Sequence, residues 1–199
     1  MTIIEAKSLS KSYGKSRGIE NLDLEVHEGE VFGFIGPNGA GKSTTIRALM
    51  GMIRPTGGTV RINGLDPIRD GKRLRADVGY VPSEVGYYEK MSVAELVKYV
   101  SGFHERECSR RIEEMVDRLE IDTSKNLTDL STGNRKKVAI VLATMHSPKL
   151  LILDEPTSSL DPIAQGVLFE ILEEENDSGT TVFFSSHVPP YVRIVVTSS

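Results

Sequence analysis

The nine residues GPNGAGKST, Gly36 to Thr44, constrain this chain more than any other stretch. They fit the pattern G-x-x-x-x-G-K-[ST]. They also have the context it requires, with the compact apolar run "EVFGFIG" (Glu30 to Gly36) before them and a helix predicted from Lys42 to about Met52 after them. A strand that turns through glycines into a helix gathers backbone N–H groups at the positive end of the helix dipole, which favours a bound phosphate. Gly36, Pro37, Asn38, Gly39, Ala40 and Gly41 form that turn, and its glycines let the N–H groups come close to phosphate oxygens. Lys42 supplies a cation for the outer phosphates, Ser43 a hydroxyl for Mg²⁺, and Thr44 a contact to an inner phosphate.

A phosphate cradle needs an acidic counterpart. "KLLILDEPTSSLDP" carries Asp154 to the end of an apolar strand, where open α/β sheets bind ligands. There Asp154 can hold Mg²⁺ through water, and Glu155 can polarise an attacking water as general base. Taken alone, the two carboxylates could simply end a strand before Pro156; paired with the glycine-rich loop, they read as its acidic half. His187 ends the run "TVFFSSH". A lone histidine is most often a surface or satisfied core residue, but the end of a central strand is where a γ-phosphate contact would sit.

A third stretch, "DLSTGNRKKVAIVLATM" (Asp129 to Met145), reads as a helix with Ser131 as N-cap. Gly133 weakens its first turn by roughly 1 kcal/mol relative to alanine. Arg135, Lys136 and Lys137 then crowd the positive end of the dipole, where cations are unfavourable. Two readings are open at this point: a capped helix with a solvated basic edge, or a second phosphate site.

Elsewhere, short strands with Gly14 and Gly18 as punctuation are expected between Ile3 and Val26, and further strands at "GTVRING" and "ADVGYVP". Two helices are predicted between about Ser92 and Glu120, as an insertion, and another from about Pro162 to Glu174. Apolar strands alternating with helices imply a mostly parallel sheet covered on both faces. The 199 residues suit one domain carrying an inserted subdomain at about 84–130. A net charge of −4 argues against a nucleic-acid or anionic-membrane binder, and the single Cys108 excludes a cysteine-based zinc cluster. There is no cationic region followed by an apolar core at the start and no apolar run near the roughly 20 residues needed to span a bilayer. The expected location is therefore cytoplasmic.

In this order, the motifs resemble the nucleotide-binding domain of ABC transporters from about Ile3 to His187. Leu130 to Asn134 is similar to the family's signature motif, Ser158 to Asp161 to its D-loop, and His187 to its switch histidine. Tyr13 stands where the family has an aromatic that stacks on adenine. The resemblance implies a P-loop NTPase fold with an N-terminal antiparallel β region and a helical subdomain. It implies ATP and Mg²⁺ as cofactors and ATP hydrolysis coupled to transport. The implied partners are a separate membrane permease, which would hold the chain peripherally on the cytoplasmic face, and a second nucleotide-binding domain. Ser131 and Gly133 would then face the γ-phosphate held by the other domain, head to tail. "GYVPSEVGYYEKMSV" with "LSTGNRKKV" looks most like the ABC-2-type systems, which mostly export. A soluble ABC-type ATPase and a regulatory ATP-binding module are the alternatives.

Three departures stand out. Thr132 and Asn134 replace the commonest glycine and glutamine of the signature. Ser83 stands where the Gln-loop glutamine belongs, with Glu84 beside it as a substitute ligand for Mg²⁺ or water. After His187, "VPPYVRIVVTSS" leaves the family pattern, as a truncated or altered end would.

Overall fold

The computed structural model describes residues 1–14, 16–87, 90–104, 108–187 and 193–196. Two sheets organise the chain. The first is antiparallel, with β1 (Thr2–Tyr13) between β2 (Ser16–His27) and β4 (Gly57–Ile62). Ile4 is opposite Val26 on one side and Ile62 on the other, and all three are buried, so one face of this sheet closes over the core. The short strands expected here are two strands of twelve residues each. Register shifts flank Ser8, and both Ser8 and Asn21 have positive φ; these irregularities interrupt the period-two pattern and make one long hairpin look like several pieces. Gly18 lies inside β2, where a Cβ would sit 1.7 Å from the Lys11 carbonyl oxygen, so its role is close backbone approach.

The second sheet is parallel, in the order β5 (Val78–Val81), β6 (Leu150–Leu153), β7 (Thr181–Ser186), β3 (Val31–Ile35), β8 (Arg193–Val196). β3 and β6 are largely apolar because both faces of the sheet are covered there. In β6, Leu150 and Ile152 join a core formed with the antiparallel sheet and α1 (Lys42–Leu49). Leu151 and Leu153 join the core on the opposite face, with α5 (Thr132–Thr144) and α6 (Pro162–Asp177). Phe32 and Phe183 stack across β3 and β7 at 5.4 Å between centroids.

The two helices of the insertion are α3 (Val93–Ser101), opened by a Ser92–Glu95 capping box, and α4 (Ser109–Arg118). Val93, Val97, Met115 and Leu119 pack into the same cluster as α5. A short helix, α2 (Gly71–Ala76), was not expected; six residues with one large apolar side chain, Leu74, and no capping side chain give no readable period. α1 stops at Leu49, short of Met52, because Gly51 takes a left-handed φ of 67° against the Pro67 carbonyl. After His187, the departure from the family pattern contains a parallel strand, β8, on the edge of β3. Pro189 and Pro190 lie outside the described residues.

Candidate functional site

Parallel pairing sets which residues meet. Ile35 is in register with Ser186, Leu153 with Phe184 and Val81 with Leu153, so the carboxyl ends of β3, β5, β6 and β7 share one edge of the sheet. The next residues are Gly36, Pro82, Asp154 and His187, and all the motifs of the parallel core converge there.

The glycine-rich loop is built as expected. Gly39 and Gly41 have φ of 81° and 86°, and Gly41 is the N-cap of α1. Gly36 is buried, Pro37, Asn38 and Gly39 are exposed, and Ala40, Ser43 and Thr44 are half-buried. The buried hydroxyl that braces the turn belongs to Thr45, which donates to the Gly41 carbonyl at 3.0 Å. Lys42 is buried; its Nζ donates to the carbonyl oxygens of Gly36 (2.7 Å) and Pro37 (3.2 Å) and lies 3.2 Å from Glu155 Oε1. The ammonium therefore sits inside the cradle, held by weak carbonyl acceptors that phosphate oxygens would outcompete.

Asp154 is 1% exposed. Its Oδ1 accepts from Ser185 Oγ at 2.7 Å, and its Oδ2 is buried with no hydrogen-bond partner among the described residues. An orphaned, desolvated carboxylate oxygen is costly unless a cation meets it, so this residue fits a divalent metal. Glu155 adopts φ of 47°, a strained conformation for a non-glycine residue. That turn is secured by its N–H donating to Ser185 Oγ (2.9 Å) and its carbonyl accepting from Ser158 Oγ (2.7 Å). The carboxylate is thereby aimed between Lys42 on Oε1 and His187 Nδ1, 3.0 Å from Oε2.

Ser185 was missed in the sequence. It is fully buried and bonds both Asp154 and the Glu155 backbone. The signal was available in the register: if β6 and β7 pair in parallel, the residue after Phe184 lies beside the residue after Leu153.

Tyr13 is exposed on the hairpin, with Lys11 Nζ 5.2 Å from its ring centroid on one face. Glu84 is exposed, and among the described residues no group of three or more histidine, cysteine or acidic side chains forms. Tyr87 is half-buried and packs against the core, which pushes its hydroxyl far above the usual tyrosine range. Tyr88 lies outside the described residues.

Ser131 caps α5, its Oγ accepting from the Asn134 N–H at 3.2 Å, and remains exposed. Gly133 is required by packing, since a Cβ there would lie 2.7 Å from the Ser159 carbonyl oxygen. Of the three cations behind it, Arg135 donates to the Thr128 carbonyl, Lys136 is buried and Lys137 is half-buried. Among the described residues no hydrogen bond or ion pair joins Ser131 to Lys42.

The fold and the converging edge define a P-loop nucleotide-binding domain with a helical insertion. The chain belongs to the ABC transporter family, whose profile matches residues 19–158, and is an ATP-binding domain of that family. It is 34% identical over 194 residues to the bacitracin transport ATP-binding protein BcrA of Bacillus licheniformis, covering 94% of this chain and 62% of that one. It is 36% identical over 191 residues to the Nod factor export ATP-binding protein I of Cupriavidus pinatubonensis, covering 93% and 58%. The chain thus spans less than two thirds of these two relatives. A solved ATP-binding subunit of an ABC transporter superposes with a TM-score of 0.87 at 31% identity, over 94% of this chain and 80% of that one. A dimeric bacterial ABC transporter cassette gives 0.85 at 25% identity, over 98% and 94%.

Proposed function

We propose that the chain binds and hydrolyses MgATP to power transport, in the export direction, through a separate membrane permease. The observation that carries the reading is the Glu155 carboxylate, held at a strained turn beside the Lys42 cradle and the orphaned oxygen of Asp154. Lys42 turns from its carbonyl acceptors to the outer phosphates, which frees Glu155 Oε1 to take a proton from water attacking the γ-phosphorus. His187 steadies the other oxygen and the departing phosphoryl group. Ser43 and Asp154 would hold Mg²⁺, which would supply charge neutralisation at the phosphates. Tyr13 stacks on the adenine with its face opposite Lys11.

Ser131 and Gly133 serve the ATP of a second copy. The exposed N-terminus of α5, capped by Ser131, and the dimeric cassette among the structural neighbours support this arrangement. The names of the relatives, one of them a Nod factor export protein, support export and a permease partner. Among the described residues no helix is long and apolar enough to cross a membrane, which fits peripheral attachment through such a partner on the cytoplasmic face. Steady-state phosphate release from MgATP, with and without a permease that co-purifies, is the test. Tight ATP binding with no release in either condition would instead favour a regulatory module.

A further inference from the structure

A lysine is almost never fully buried without a charged partner. Lys136 is 2% exposed, and among the described residues no carboxylate lies at ion-pair distance from it. Its Nζ instead donates to the carbonyl oxygens of Pro82 at 2.8 Å and Ser83 at 2.7 Å. These residues follow β5 directly, and the same strand end is fixed to β6 by the Asp154 N–H donating to the Val81 carbonyl at 2.8 Å. Lys136 itself lies on α5, the helix capped by Ser131. It therefore stands where the Ser131 helix, the end of β5 and the acidic end of β6 meet.

The segment beyond, 83–87, has no helix or strand, so its placement depends on few contacts. Val85 and Tyr87 pack on the core, and Lys136 supplies the side-chain hydrogen bonds that join 82–83 to α5. We propose that Lys136 is a positioning residue that fastens the Pro82–Ser83 backbone to the Ser131 helix, so that phosphate engagement at the helix N-terminus shifts the 83–87 loop with it. The inference rests on the reading of Ser131 as a phosphate contact. Burial pushes the Lys136 ammonium down to about 8, against the opposing fields of Asp154 and Glu155. An apolar side chain of similar length would avoid that desolvation, so packing alone does not account for a lysine; the two carbonyl bonds do.

The test compares Glu155→Gln with Glu155→Gln/Lys136→Met, each with and without MgATP. Light scattering reports dimerisation, and hydrogen exchange reports the amides of 83–87 and of β6. Both proteins are expected to dimerise. ATP should slow exchange at 83–87 by about tenfold in Glu155→Gln and by less than about twofold in Glu155→Gln/Lys136→Met, while β6 is unchanged. Should the methionine variant fail to fold, Lys136→Gln carries the same comparison. Equal ATP-dependent protection of 83–87 in both proteins overturns the role of Lys136, as does a loop indifferent to ATP in Glu155→Gln. Loss of the dimer only when Lys136 is replaced would also overturn it, by moving the residue from the loop to assembly. No ATP-dependent dimer of Glu155→Gln overturns it together with the Ser131 reading.

Discussion

Lys42 and Glu155 are ion-paired at 3.2 Å across the mouth of the glycine-rich loop. If Glu155 is the general base, as proposed, it is occupied until a phosphate draws the lysine away, and nucleotide binding and base activation would then be one event. Glu155→Gln should retain ATP binding and lose turnover by about 100-fold or more, the upper range for a lost general base. Lys42→Ala should weaken nucleotide binding itself. Isothermal titration alongside phosphate release separates the two effects. Unaltered hydrolysis by Glu155→Gln would remove Glu155 from the mechanism.

Ser185 links the two acidic residues through a single hydroxyl. Ser185→Ala would leave Asp154 Oδ1 and the Glu155 N–H without that partner at a buried position, a loss of about 1–3 kcal/mol. A denaturant melt should register it, with turnover falling more than ATP affinity because the Glu155 turn loosens. A variant as stable and active as the parent would mean that the hydroxyl is dispensable.

Much of this arrangement was legible in advance, for identifiable reasons. Gly36 to Thr44 is a contiguous motif whose backbone shape and ligand chemistry are set by neighbouring residues, so its geometry could be anticipated. The parallel sheet was legible because runs such as Leu150 to Leu153 are apolar on both faces. Ser185 was not singled out and Lys136 was read only as one of three cations, since their roles come from neighbours distant in sequence, and a serine in "FFSSH" or a lysine in "RKK" is ordinary on its own. The basic cluster misled most at Lys136. Three adjacent cations look like one solvated face, but a helix turns each by roughly a third of a circle, and this one faces inward.

That inward lysine gives a pH prediction. Its ammonium titrates near 8 in the folded protein and near the ordinary 10.5 in the unfolded chain. Between those values the unfolded state binds more protons, so stability rises with pH across this window. The cost of burying the charge is fully present below about pH 8 and relieved as pH climbs towards 10.5. Neutral Lys136 keeps two N–H donors, enough for both carbonyls. Relative to Lys136→Met, the parent should gain at most about 1 kcal/mol per pH unit between pH 8 and 10. Urea melts of both proteins across that range check it, and a gap that widens against the parent would contradict the sign.

The division between Ser131 and Lys42 gives the last prediction. Each chain carries one cradle and one capped helix without a bond between them, and two-fold pairing head to tail would complete two sites at once. ATP would then be interface material, and hydrolysis would remove the γ-phosphate that bridges Lys42 of one chain to Ser131 of the other, opening the dimer. Lys42→Ala and Ser131→Arg should each be inactive alone. Mixed at high concentration, they form heterodimers in which one site collects both lesions and the other collects neither, so phosphate release should recover to about a quarter of the parent rate when half the dimers are mixed. A site completed within one chain would leave a lesion in every copy, and mixing would restore nothing. Heterodimers shown by native mass spectrometry, yet without recovered hydrolysis, would rule out assembly between chains.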